Sequence, residues 1–256
     1  MGKVALITGS TSGIGLGIAI EFAKAGYNLI LNGLETDGPQ IAEKVGKEYN
    51  IKAIYHPANM LKPDEIKSMI KTGIDVFGKI EVLINNAGIQ FVSPIENFPE
   101  EKWDAILNIN LSSAFHTTKG VWENMRTNKF GRIINIASAH GLIASEFKSA
   151  YVAAKHGLVG LTKVTALEGA PFGITANAIC PGYVKTPLVE KQIKDQAQAH
   201  QISEQEVISK VMLVKHAIKD FVTVEQLGKL AVFLASDAGN LITGTALPVD
   251  GGWNAQ

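Results

Sequence analysis

The sequence predicts an α/β fold: a single Rossmann-like, doubly wound parallel sheet of about seven strands with helices on both faces. Three observations carry that expectation. Short aliphatic or β-branched runs alternate with longer segments of helical period. Runs such as Val4-Ala5-Leu6-Ile7 and Ile133-Ile134-Asn135-Ile136 are almost continuously apolar, as strands buried on both faces must be. A glycine-rich turn follows the first run. With 256 residues, 46% of them hydrophobic and 19% charged, the chain has ample apolar material for one large core.

Taken in order, strands are expected at Val4 to Thr8, Asn28 to Asn32, Lys52 to His56, Val82 to Asn85, Arg132 to Ala137, Thr175 to Ile179 and Ala246 to Val249. Helices are expected at Ile14 to Ala25, Pro39 to Tyr49, Pro63 to Phe77, Glu100 to Met125, Ala150 to Glu168 and Val224 to Ala235. That alternation is the signature of strand–helix–strand crossovers around a parallel sheet. One segment breaks the rhythm: Pro187 to Phe221 is long, polar and helical in propensity. An insertion of this kind covers a site more often than it fills a core, so a helical substrate lid is expected at about 187–221. With no linker, repeat or low-complexity tract, residues 1–256 read as one domain.

Charge and cysteine content exclude several function classes. The 24 Lys and Arg balance 24 Asp and Glu, which removes the broad attraction that nucleic acid or an anionic membrane requires. Cys180 is the only cysteine, there is no Cys/His cluster at metal-binding spacing, and so no metal is expected. A reducing, cytoplasmic setting fits best. Met1-Gly2-Lys3 runs straight into a four-residue apolar stretch too short for a signal sequence, and no run reaches the roughly 18 to 20 residues of a membrane span.

Glycine is in surplus, at 25 residues, against a usual share of about 7%. The turn Thr8-Gly9-Ser10-Thr11-Ser12-Gly13-Ile14-Gly15 links the first strand to the first helix. Glycines there let backbone approach a pyrophosphate, and the helix N-terminus supplies N–H groups and the positive end of its dipole. Gly9, Thr11, Ser12, Gly13, Ile14 and Gly15 are therefore candidate cofactor contacts. The end of the second strand reads Asn32-Gly33-Leu34-Glu35, without Lys or Arg. A 2′-phosphate would meet no cation and a nearby carboxylate, so NAD is favoured over NADP. Asn32, by its amide or backbone beside Gly33, or Glu35 has to take the place of the acidic residue that usually holds the ribose.

Tyr151 and Lys155 stand four apart in a predicted helix, hence on one face. Ser138 sits just past the C-terminal end of an apolar strand, where open α/β sheets bind ligands. A phenol is a poor base at neutral pH, but an adjacent ammonium favours the phenolate, which makes Tyr151 a candidate general base for an alcohol.

These segments together resemble the short-chain dehydrogenase/reductase family over essentially the whole chain. The matching motifs are Thr8-Gly9-x-x-x-Gly13-Ile14-Gly15, Asn85-Asn86-Ala87-Gly88, Asn110, Ser138, Tyr151-x-x-x-Lys155 and Pro181-Gly182-x-Val184-x-Thr186. The resemblance implies Tyr151 as acid/base, Ser138 as partner of the substrate oxygen, and Lys155 as the group that tunes Tyr151 and holds the nicotinamide ribose. It implies that Asn110 kinks its helix and holds a water relay. Asn86, Ala87 and Gly88 are implied to pack on the adenosine half, and Pro181, Gly182, Val184 and Thr186 on the nicotinamide carboxamide. Asn59-Met60 departs from the Asp that often contacts adenine, and an Asn can still donate and accept. A homotetramer is also implied.

Within the family, the run Asn135 to Leu142, with Ala87 to Gln90 and Asp250 to Trp253, resembles the members that oxidise 3-hydroxybutyrate. This implies that Gln90, His140, Lys148 and Gln192 hold the substrate carboxylate. Such a small acid offers little apolar area, so a charged hydrogen bond has to orient it. His140, Lys148 and Lys155 read as one local cationic site inside a neutral chain. Gln192 lies in the lid. Tyr183 and Trp253 either wall the substrate methyl or pack the core, and the stretch around Leu247 to Trp253 either serves an interface or the core. Two other functions compete: a 3-oxoacyl carrier-protein reductase, which wants cations for NADPH, and a catalytically silent dinucleotide-binding protein.

Overall fold

The computed structural model describes residues 2–255; Met1 and Gln256 lie outside the described residues. Strands run in chain order as β1 (Val4–Ile7), β2 (Asn28–Asn32), β3 (Ala53–His56), β4 (Val82–Asn85), β5 (Gly131–Ile136), β6 (Ile174–Pro181), β7 (Val184–Lys185), β8 (Val222–Thr223) and β9 (Ala246–Val249). Helices are α1 (Gly13–Lys24), α2 (Gly38–Tyr49), α3 (Pro63–Phe77), α4 (Glu100–Leu107), α5 (Ser113–Asn128), α6 (Ser149–Gly169), α7 (Pro187–His200), α8 (Glu204–Val207) and α9 (Val224–Ala235). Seven strands form one sheet in the order β3-β2-β1-β4-β5-β6-β9, with parallel pairing throughout.

Apolar alternation on each strand feeds two faces. Ala5 and Ile7 of β1 join Ile18, Phe22, Ala42 and Leu227, under α1, α2 and α9. Val4 and Leu6 join Ile66, Met69, Val121 and Met125, under α3 and α5. Each Val, Leu, Ile, Phe or Met side chain among them, fully removed from water, contributes roughly 1.5–3 kcal/mol. The chain leaves β1 toward β2 and β3 on one side and returns to β4 on the other, which opens a crevice beyond the C-terminal ends of β1 and β4.

A buried polar thread crosses the sheet at that end. The Thr117 hydroxyl donates to Asn85 Oδ1 at 2.6 Å, the Asn85 amide to Asn135 Oδ1 at 2.8 Å, and the Asn135 amide to the Thr162 hydroxyl at 2.8 Å. Because every member has a partner, the thread fixes α5, β4, β5 and α6 relative to one another without an orphaned dipole.

Three differences from the sequence expectations have local causes. The predicted helix Glu100 to Met125 is broken by a π-helical stretch at Asn108–Ser112 between α4 and α5. There the Asn110 amide leaves the helix register and pairs with both backbone groups of Ile89, donating to its carbonyl at 2.9 Å and accepting its N–H at 2.8 Å. β6 runs on to Pro181 because its far end pairs with Val249 of β9. The short pair β7–β8 brackets the 187–221 segment, whose helices start at a Thr186 hydroxyl cap and at a Ser203–Glu206 capping box. That segment has an apolar cluster of its own, Ile193, Val207, Met212 and Leu213, with Tyr183 and Phe221 packed against it. Among the described residues no helix is long and apolar enough to cross a membrane.

Candidate active site

The turn between β1 and α1 is built by glycine. Gly9 and Gly13 have φ of 60° and 52°, and a Cβ on Gly15 would stand 2.1 Å from the Gly9 carbonyl oxygen. Nothing lies within 4 Å of a Cβ built on Gly13, and no side chain caps the N-terminus of α1. The open face with its N–H groups suits a pyrophosphate. Thr8, just past β1, and Asn86, just past β4, brace the turn: the Thr8 hydroxyl accepts the N–H groups of Asn86 and Ala87, each at 3.0 Å. The Asn86 amide donates to the carbonyls of Thr8 and Gly9, each at 2.9 Å. Asn86 thus shapes the turn itself, while Gly88 faces Asn110.

The ribose end differs from the sequence expectation. The Asn32 side chain is turned inward, its Oδ1 accepting the Gly9 N–H at 3.2 Å and its amide donating to the carbonyls of His56 and Ala58. It is a buried fastener and does not present its amide to a ribose. The Glu35 carboxylate occupies that corner instead, accepting from the hydroxyls of Thr11 and Ser12 and the N–H of Leu34 above Gly33. The Thr11 hydroxyl holds it below the usual carboxylate range, so it is ionised. Ile14 packs against the core beneath α1. Asn59 turns its Oδ1 to the Leu61 N–H, and Met60 is buried in the core, so neither side chain faces a ligand as a free donor or acceptor pair.

β5 delivers Ser138 two residues past its end, and α6 carries Tyr151 and Lys155 one turn apart. The Ser138 hydroxyl lies near enough to Tyr151 to favour its phenolate, and it accepts the His140 N–H at 3.2 Å. Lys155 Nζ lies 5.6 Å from the Tyr151 ring centroid and donates to the Ile136 carbonyl at 2.7 Å. Burial brings Lys155 down to about 8. Burial also raises the Tyr151 phenol and the Ser138 hydroxyl opposes that rise, where the sequence expectation has the Lys155 ammonium favour the phenolate. Protein groups leave Tyr151 a protonated acid at neutral pH, with Ser138 as the influence toward phenolate.

Around this pair stands an aromatic wall. The His140 ring lies 6.1 Å from Tyr151 and 5.2 Å edge-on to Trp253, and Trp253 stacks on Tyr183 at 6.1 Å and 3°. His216, unforeseen in the sequence, is buried against both Trp253 and Tyr183. Asp250 anchors this tail by accepting the N–H groups of Gly252 at 3.0 Å and Asn254 at 2.9 Å. Gly182 is required here, since its Cβ would meet His216 at 2.9 Å. Val184 is buried in β7, and Thr186 caps α7.

His140 is neutral, not cationic: burial first, then the charges of Lys148, Lys215 and His156, push it down to about 4. The expected site of three cations therefore loses one. Lys148, at the start of α6, is half-buried and lowered by burial and by Lys215. It follows Phe147, a bulky residue held at φ 65°, whose carbonyl accepts the Ser93 N–H at 2.9 Å. Strain of that sort persists where the fold over-determines a position, and it ties the loop of Gln90 to the loop of Lys148. Gln90 and Gln192 themselves are exposed, and neither side chain makes a hydrogen bond within the described residues. Lys215, another cation near the wall, had no spacing signal in the sequence because it lies in an irregular polar segment.

Among the described residues no group of three or more His, Cys, Asp or Glu side chains can hold a metal ion. The whole arrangement suits a nicotinamide dinucleotide lying from the glycine turn to Lys155, with an alcohol or carbonyl oxygen at Ser138 and Tyr151.

Comparison with known proteins agrees with this geometry. The chain is 55% identical over 258 residues to the D-beta-hydroxybutyrate dehydrogenase of Rhizobium meliloti, covering 100% of both chains. It is 52% identical over 255 residues to the enzyme of the same name from Cupriavidus necator, covering 100% of this chain and 99% of the other. It is 35% identical to a 3-oxoacyl-[acyl-carrier-protein] reductase of Staphylococcus epidermidis, over 98% of this chain and 99% of that one. The short chain dehydrogenase profile matches residues 3–197. The chain belongs to the short-chain dehydrogenase family.

Proposed function

We propose that the protein oxidises D-3-hydroxybutyrate to acetoacetate reversibly, with NAD as hydride acceptor. The observation that carries this reading is the convergence of Ser138, Tyr151 and Lys155 beside a half-buried Lys148 and an aromatic wall. Ser138 orients the substrate hydroxyl, and Tyr151, as phenolate, takes its proton. Lys148 holds the carboxylate by a charge-assisted hydrogen bond, with Gln90 and, on lid closure, Gln192 as neutral donors. His140 packs against Trp253 and accepts or donates a neutral hydrogen bond. The dinucleotide, when bound, supplies the carbon that receives hydride from C3. Lys155 holds its ribose, and Asn110, paired to Ile89, keeps the helix bend that supports a water path.

Glu35 supports NAD, because a 2′-phosphate at that corner meets an ionised carboxylate. The same feature disfavours a carrier-protein reductase using NADPH. The family resemblance, and exposed Phe115, Val164 and Leu167 on α5 and α6, support a homotetramer; a cytoplasmic setting rests on the lone, buried Cys180. The test is formation of NADH from D-3-hydroxybutyrate, followed by its ultraviolet absorbance. Activity with NAD and the D-acid is expected. Equal rates with NADP, or with the L-enantiomer, would overturn the respective part of the reading.

A further inference from the structure

The His140 ring joins two hydroxyl groups: that of Ser138, and that of Ser145, which lies outside the motifs that carry the family resemblance. Nδ1 stands 3.4 Å from the Ser138 Oγ, and Nε2 stands 2.8 Å from the Ser145 Oγ. Backbone holds the chain of three in place. Ala139–Gly141 form one tight helical turn, in which the Gly141 N–H donates to the Ser138 carbonyl at 2.8 Å, and the N–H groups of Leu142 and Ile143 both donate to the Ala139 carbonyl at 3.0 Å. A Cβ on Gly141 would stand 3.0 Å from the Lys155 carbonyl oxygen, so the turn also sits tightly on α6. The imidazole itself is buried, with its ring edge-on to those of Tyr151 and Trp253.

A neutral imidazole carries one proton on two nitrogens, and the two hydroxyls allow two arrangements of it. In the first, the Ser138 O–H donates to Nδ1, and Nε2–H donates to Ser145. The Ser138 hydrogen is then engaged by the imidazole and is lost to any substrate oxygen. In the second, the Ser145 O–H donates to Nε2, and Nδ1–H donates to the Ser138 Oγ, which also accepts the His140 backbone N–H at 3.2 Å. Both lone pairs of that oxygen then face donors, and its own hydrogen is free for the oxygen bound beside Tyr151.

We propose that Ser145 is a positioning residue: by donating to Nε2 it holds His140 in the Nδ1–H form, which frees the Ser138 hydroxyl to donate to the reacting oxygen. The identity of that oxygen rests on the reaction proposed above; the direction of the hydrogen-bond chain does not. Ser145 acts without any change of charge, because the partner at one ring nitrogen decides what the other nitrogen can do. Without its hydroxyl, Nε2 has no donor there, and the ring turns to the Nε2–H form that draws the Ser138 hydrogen onto Nδ1.

The experiment is nitrogen NMR of isotopically labelled histidine rings in the complex with NAD, which separates the two tautomers, with His140→Asn to assign the signal. It is run on the unmodified chain, Ser145→Ala and Ser145→Thr, alongside the kcat for oxidation of D-3-hydroxybutyrate. The Nδ1–H form is expected in the unmodified chain and in Ser145→Thr, and its loss in Ser145→Ala. There kcat is expected to fall about three- to tenfold, the value of one neutral hydrogen bond, with most of it restored in Ser145→Thr. NAD affinity in the same samples is expected to be unaltered and reports that each variant is folded. An Nε2–H form in the unmodified chain, an unchanged tautomer in Ser145→Ala, or a changed tautomer with unaltered kcat would overturn the proposal. The tautomer is read without turnover: if it responds to Ser145→Ala as expected while the unmodified protein fails to oxidise D-3-hydroxybutyrate, the substrate assignment fails and the hydrogen-bond chain stands.

Discussion

Lys155 donates its ammonium to the carbonyl of Ile136 at 2.7 Å, and so the last residue of β5 aims the lysine of α6 beneath Tyr151. A strand end and a helix one crossover away thereby share one catalytic group. The carbonyl also keeps a proton on a buried ammonium, which would otherwise be lost readily from a lysine brought down to about 8.

In the proposed reaction Tyr151 exchanges the hydroxyl proton, and replacing it by Phe removes that group. Turnover is expected to fall by roughly 10²- to 10⁴-fold, with NAD affinity nearly intact. Steady-state kinetics with fluorescence titration of NADH checks both. Because burial raises the Tyr151 phenol and oxidation uses its phenolate, the oxidation rate is expected to climb as pH rises above neutrality and the reduction rate to fall. Full activity in the Phe variant would refute Tyr151 as the acid/base.

Lys148→Ala should raise KM for the hydroxy acid by about 10- to 100-fold, the value of one charged hydrogen bond. KM for NAD should barely change. Equal effects on both would make Lys148 a general electrostatic or structural group.

At the cofactor corner, Glu35→Gln removes the carboxylate that Thr11 and Ser12 hold in place. The preference for NAD over NADP, as a ratio of kcat/KM, is expected to drop about 10- to 100-fold through relief of like-charge repulsion. A ratio unaltered from that of the unmodified chain would remove Glu35 from cofactor selection.

His140 links stability to pH. The folded protein keeps it neutral down to about 4, against 6.5 for the free side chain, so between those values the unfolded chain binds the extra proton. Stability therefore falls as pH drops through that interval, by on the order of 3 kcal/mol at its lower end. Urea denaturation of the unmodified chain and His140→Asn across the interval measures it. The variant is expected to show a shallower slope, and parallel slopes would contradict the assignment.

Much of the protein was legible in its sequence. Continuous apolar runs and intervening helical periods gave the seven parallel strands, because both faces of such a sheet must be covered and the pattern is local. The glycine turn was equally legible, since positive φ at Gly9 and Gly13 and the tight approach of Gly15 admit no other residue easily. Ser138, Tyr151 and Lys155 announced themselves by spacing along one helix and one strand end. Tertiary structure decided what spacing does not encode. It turned Asn32 inward to Gly9 and His56 and left Glu35 at the ribose corner, because a buried amide must find partners wherever the fold brings them. It made His140 neutral through burial by Trp253 and Tyr151, and it broke the helix at Asn110 to pair with Ile89. It also carried Lys215, sixty residues beyond Lys155, to the wall of the same site through the Gly251 carbonyl. Charge, burial and partner choice are properties of neighbours in space, and the sequence by itself orders only neighbours along the chain.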